Sequence, residues 1–70
     1  MIEKAEVETR FTYHAPKGDQ LERYQRIRKA QKEFAELVLE LTPDSREQSL
    51  AITHIEEAGM WANAGIARRE

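Results

Sequence analysis

Cysteine is absent, which excludes disulfides, thiol redox motifs and thiolate zinc sites. The two histidines, His14 and His54, lie 40 residues apart and form no metal-ligand spacing. Glycine (3) and proline (2) are sparse, no Gly-rich phosphate loop follows a strand, and no segment reads as a strand. No apolar run approaches the roughly 20 residues that a membrane span requires. A basic excess is also missing. Eleven Lys and Arg face 13 Asp and Glu, for a formal net charge of -2. General DNA or RNA binders normally carry the opposite balance. A small anionic ligand held by a few placed arginines stays compatible with these counts. Glu3, Glu6 and Glu8 stand where a signal peptide would have a basic start, so a cytoplasmic location is expected.

Seventy residues hold at most one domain. So short a chain buries too little apolar surface to be comfortably stable alone. With disulfides and metals set aside, oligomerisation is the expected route to stability.

The chain reads as an N-terminal segment, 1–18, followed by a helical hairpin, 19–70. Residues before Arg10 suit a frayed helix. Pro16 and Gly18 mark a turn, because proline fixes φ and glycine relaxes it. A first long helix is expected from Asp19 to Leu41, with Asp19 as N-cap and Glu22 completing a capping box. Leu21, Tyr24, Ile27, Phe34, Val38 and Leu41 recur at spacings of three and four, the mark of one buried face. Glu22, Arg26, Lys29, Glu33, Glu36 and Glu40 form the solvated side. Thr42-Pro43-Asp44 ends this helix, since proline disfavours helical geometry in the residue before it. Ser45 caps a second helix, to about Arg68, with Gln48 at its capping-box position. So short a connection makes the helices antiparallel.

The second helix is apolar over most of its circumference after one turn, from Leu50 to Ile66. Such a helix is buried on more than one side. Ala58, Gly59, Ala62 and Gly65 would admit a close neighbour. Both features point to subunit packing, the alternative being cover by the N-terminal segment. The expected architecture is all-α: an antiparallel two-helix hairpin with a short N-terminal segment, assembled as a homo-oligomer.

Catalysis finds little support. Ser45 and Ser49 with His54 could suggest a nucleophilic triad, but Ser45 is better used as a cap. Carboxylate pairs such as Glu33/Glu36 and Glu56/Glu57 fall on solvated faces. Binding is better served. At about 100° per residue, Arg28 falls on one rim of the apolar face and Arg23 on the other. A guanidinium there can lay its stem on apolar surface and present its fork to an anion, or it can pair with a neighbouring Glu. Phe11 and Tyr13 precede the hairpin; either can staple the segment to the core or stack on a base. Trp61 reads as core or interface. Lys17 precedes a helix N-terminus, which favours anions. Asn63, Arg68 and Arg69 suit a helix C-terminus, which favours cations.

Three stretches occur in order at fitting intervals: RFTYHAPKGDQ from Arg10 with ERY from Glu22, LTPDSREQSLA from Leu41, and MWANAGIAR from Met60. Together they resemble the small helical-hairpin family of phage anti-CBASS proteins over about residues 10 to 70. The resemblance implies a non-catalytic sponge without cofactor. It would sequester the cyclic dinucleotides, cGAMP among them, by which bacterial defence enzymes signal infection. It implies a hexamer in the cytoplasm of the infected bacterial host, with dinucleotide pockets between two protomers. Some members also take cyclic trinucleotides where three protomers meet.

Carried over by position, the family's base-stacking tyrosine matches Tyr13 and its phosphate-binding cation matches Arg28, an arginine where the family pattern includes lysine. Arg10, Lys17, Asn63 and Arg68 complete the expected ligand-binding set. The competing reading is a helical oligomeric protein-interaction module without nucleotide ligand. A third, a small hydrolase of cyclic nucleotides, rests only on the two histidines and the many carboxylates.

Overall fold

The computed structural model describes all 70 residues. It is all-helical, with three helices: α1 (Lys4–Phe11), α2 (Gln20–Leu41) and α3 (Arg46–Arg69). No helix is long and apolar enough to cross a membrane. The long helices α2 and α3 pack against each other as the hairpin.

The N-terminal segment is more ordered than the sequence suggests. Helix α1 continues to Phe11, with Glu6 in its first turn and Arg10 in its last, as the helix dipole favours. Those two side chains also pair at 2.6 Å. Tertiary support comes from the far end of the chain: Arg69 clamps Glu6 through two hydrogen bonds of 2.8 and 2.7 Å.

Gly18 adopts φ +57°, where a side chain would be strained. The capping box expected next to it does not form. Asp19 has φ -92° and ψ 12°, away from the extended geometry that turns an N-cap side chain back onto the helix. Its carboxylate pairs with Arg23 instead, at 3.1 Å. The open turn is closed by Gln20, whose Oε1 accepts from the Lys17 backbone N–H at 3.1 Å.

Thr42 ends α2 in an extended conformation, as the residue before Pro43 should. Ser45 does cap α3, its Oγ accepting from the Gln48 N–H at 3.1 Å. Gln48 does not reciprocate. Its amide donates to the Thr42 carbonyl and hydroxyl, both at 3.1 Å, and so ties α3 to the end of α2.

The contact line of the hairpin also departs from the sequence reading. Tyr24, Ile27 and Val38 are half-buried, but Leu21, Phe34 and Leu41 are exposed. Two glutamines share the inner line. Gln20, at 3% exposure, is the chain's one buried polar residue. Gln31 lies across Gly59, and its amide donates to the Ile55 carbonyl at 2.6 Å. The physical reason is close approach. Gly59 has no side chain, so the helices meet where only backbone and a flat amide fit.

No apolar residue is fully buried, and Trp61 is 72% exposed, so it is not a core residue of the single chain. The molecule is a slab of 45 × 31 × 13 Å with a radius of gyration of 15.3 Å. A compact chain of this length would have about 11 Å.

Candidate functional site

The two broad faces of the slab differ. One carries an apolar groove of about 620 Å³ between Ile27, Ala30 and Phe34 of α2 and Ala51, Ala58 and Ala62 of α3. The other carries a polar cleft of about 480 Å³. The angular position of α2 residues decides the division. Arg28 sits about 100° around the helix from Ile27, so a single step carries the chain from the apolar face to the cationic one.

Three parts of the chain build the cleft. The stretch from Arg10 through Thr12, Tyr13 and His14 supplies one wall. Helix α2 contributes Leu21, Tyr24, Gln25 and Arg28. Helix α3 contributes Asn63, Ala64, Ala67 and Arg68. Five of the six residues expected from sequence therefore lie together: Arg10, Tyr13, Arg28, Asn63 and Arg68. Lys17 is placed elsewhere. Its Nζ donates to the Glu70 carbonyl at 3.2 Å, where the chain ends meet, and it does not line the cleft.

The electrostatics are one-sided, because none of the residues lining the cleft is acidic. Arg28 and Arg68 have no carboxylate within salt-bridge distance, whereas Arg10 shares Glu6 with Arg69. Glu6 is held at about 2, well below its ordinary 4.5, foremost by the Arg69 hydrogen bonds and then by Arg10. It stays anionic and neutralises about one of its two arginines. Two guanidinium groups therefore face the cleft without a counter-ion.

Tyr13 is 82% exposed and lines the cleft, so its aromatic ring is open to a ligand. Asn63 holds a buried side-chain oxygen with no hydrogen-bond partner in the chain. Such an atom costs about 1–3 kcal/mol unless a donor is supplied.

Arg23 has a different task from the anion contact considered for it. Its fork grips the Glu70 carboxylate, at 2.7 Å through Nη1, beside the Gln20 amide. These contacts tie the start of α2 to the end of α3. Glu70 is correspondingly lowered to about 2, by Arg23 first and then Gln20.

Neither serine considered for a triad engages a histidine. Ser45 and Ser49 bond to backbone carbonyls, and His54 approaches Glu57 at 3.7 Å.

Sequence reasoning missed Gln25 and the role of His14 at the cleft, together with Gln20, Gln31 and Glu70 along the hairpin. A signal existed for Gln20 and Gln31. At about 100° per residue, Gln20, Ile27, Gln31 and Val38 fall on one line of the helix. No local pattern announces that Glu70 meets Arg23, 47 residues away.

A family model described as the Acb2/Tad1 hairpin domain matches residues 3–67. No curated protein and no solved structure matches the chain.

Proposed function

The chain belongs to the Acb2/Tad1 hairpin family of anti-CBASS sponges, and from that premise we propose that its cationic cleft sequesters cyclic dinucleotides without turning them over. The observation that carries this reading is the convergence of Tyr13, Arg28 and Arg68 on one cleft that contains no acidic side chain.

The chemistry of a cyclic dinucleotide has two parts, and the cleft offers a match for each. Its two phosphodiesters carry two negative charges. Arg28 and Arg68 provide two free forks, each able to make charge-assisted hydrogen bonds worth about 1.5–3 kcal/mol. Its bases are flat and apolar on their faces. Tyr13 provides a platform, and a base stacked on an aromatic ring contributes about 1–3 kcal/mol. Asn63 and Gln25 offer amides to a base edge. Arg10 is a reserve cation, released toward a phosphate if Glu6 stays with Arg69. Holding rather than cleaving the ligand is the role the sponge family supports; the one imidazole lining the cleft, His14, is engaged by the Thr9 carbonyl.

An exposed tyrosine on an open cleft encloses only one side of a ligand. We place the second wall on another copy of the chain, within a homohexamer that also covers the apolar groove and Trp61. Cyclic trinucleotides are a second ligand class for that assembly. DNA and RNA are not, given the net charge of -2. Acting in the cytoplasm of an infected bacterium, the protein would lower the free signal below the level its effectors need.

Calorimetric titration with a panel of cyclic di- and trinucleotides, beside a solution mass, tests this reading. Tight binding of one dinucleotide per two chains, recovered intact after denaturation, is expected. Linear product at turnover would replace the sponge with a hydrolase. A well-folded oligomer that binds none of the panel would leave a protein-interaction module, for which the apolar groove is the obvious surface.

A further inference from the structure

The stacking residue of the cleft sits on chain that little else restrains. Residues 13–17 have no regular structure, and Tyr13 makes no hydrogen bond of its own. Packing holds it little, since the residue is largely exposed. Its position must come from the backbone on either side.

Two side chains pin that backbone. Thr12 Oγ1 reaches Glu8 Oε1 at 3.5 Å, the limit of a hydrogen bond. His14 Nε2 lies 2.7 Å from the Thr9 carbonyl oxygen. A carbonyl only accepts, so Nε2 carries the hydrogen and donates it. Thr9 belongs to the last turn of α1, where carbonyls have no partner within the helix. The imidazole therefore satisfies an open helix end and, in doing so, folds the chain after α1 back against that helix.

We propose that His14 is a positioning residue for base stacking: by gripping the end of α1 it fixes the backbone at Tyr13 so that the phenol ring stands at the cleft before a ligand arrives. Thr12 leaves α1 in extended chain, at φ -108° and ψ 141°, and Tyr13 and His14 follow it along one wall of the cleft. With the His14 ring held on the Thr9 carbonyl, the backbone at Tyr13 is anchored on both sides. The energetic benefit is preorganisation, because a ring already placed loses little freedom when a base stacks on it. This role rests on reading the cleft as a cyclic dinucleotide site.

The test is a double-mutant cycle read by calorimetry with cyclic GMP–AMP, using His14→Phe, Tyr13→Ala and the pair. If His14 acts through Tyr13, His14→Phe weakens binding in the wild-type background by about five- to a hundredfold, the range of one lost stack. It then has no further effect once Tyr13 is alanine. His14→Gln, whose amide N–H reaches as far as the imidazole Nε2, is expected to restore most of the affinity. Melting temperature and solution mass of each variant separate misplacement of Tyr13 from loss of fold. Equal losses from His14→Phe in both backgrounds would overturn the proposal and make His14 a direct ligand contact. Undiminished binding by His14→Phe would overturn it as well. A wild-type protein that binds none of the probe is a different result, for then the reading of the cleft fails before His14 enters.

Discussion

At the residue scale, cations divide by whether a carboxylate already holds them. Arg23 and Arg69 are committed to Glu70 and Glu6. Arg28 is not committed, so its loss should cost the ligand and leave the fold intact. Arg28→Ala is expected to weaken cyclic dinucleotide binding by about 1.5–3 kcal/mol, roughly ten- to a hundredfold, with unchanged helical circular dichroism. Unfolding of this variant would show a structural duty that its lack of intramolecular partners does not suggest.

The committed carboxylates make a separate prediction about pH. Glu6 and Glu70 are both lowered to about 2 in the folded chain, against an ordinary 4.5. A depressed folded value means the charged form is favoured by folding. The stability this contributes is present above about pH 4.5 and is lost as pH falls toward 2. Melting temperature should therefore decline across that window. Glu6→Gln and Glu70→Gln should each start lower at neutral pH and decline less steeply. Both pairs are partly exposed, so the effect should shrink in high salt.

At the scale of the elements, the crossing of α2 and α3 is set by one glycine and one glutamine. A methyl group at Gly59 would occupy the space of the Gln31 carboxamide. Gly59→Ala gains about 1 kcal/mol of helix propensity. It also displaces the Gln31–Ile55 hydrogen bond, worth about 1 kcal/mol. The single substitution should be near neutral. In a Gln31→Ala background the conflict is gone, and Gly59→Ala should stabilise by about 1 kcal/mol in chemical denaturation. Additivity of the two changes would mean that Gln31 does not occupy the crossing in solution.

The elements also show where sequence reading succeeds. Pro43 with Ser45, and Pro16 with Gly18, mark both connections, because the restrictions of proline and the reach of a serine cap are local. The Asp19 capping box failed because its geometry was taken over by Lys17, Gln20 and Arg23. Five of the six expected residues line one cleft: the helical rim pointed to Arg28, and the resemblance to Tyr13 and Arg28. Lys17 does not line it, since its partner Glu70 arrives from the other end of the chain.

At the scale of the whole molecule, the unresolved account is hydrophobic. A slab without one fully buried apolar residue gains little from the hydrophobic effect, which scales with area at about 25 cal/mol per Å². Trp61, Met60 and Phe34 are largely exposed on the single chain. If the proposed assembly covers the α3 surface, Trp61 fluorescence should be blue-shifted and protected from soluble quenchers. Trp61→Glu should then lower the solution mass and the melting temperature together. A quencher-accessible tryptophan in a stable oligomer would move the interface to the apolar groove between Ile27 and Ala62.

What the sequence determined by itself was the local grammar: the two long helices, two punctuated connections, the exclusion of thiol chemistry and the rim position of Arg28. These follow from φ restrictions, helical periodicity and composition, each of which acts over a few residues. Only the tertiary structure decided which polar groups meet between helices. Gln31 beneath Gly59, Arg23 on Glu70 and Arg69 on Glu6 join residues 24 to 63 positions apart. The first two pairings depend on the register of α2 against α3 and the third on where α1 meets the end of α3, and no spacing along one helix encodes either.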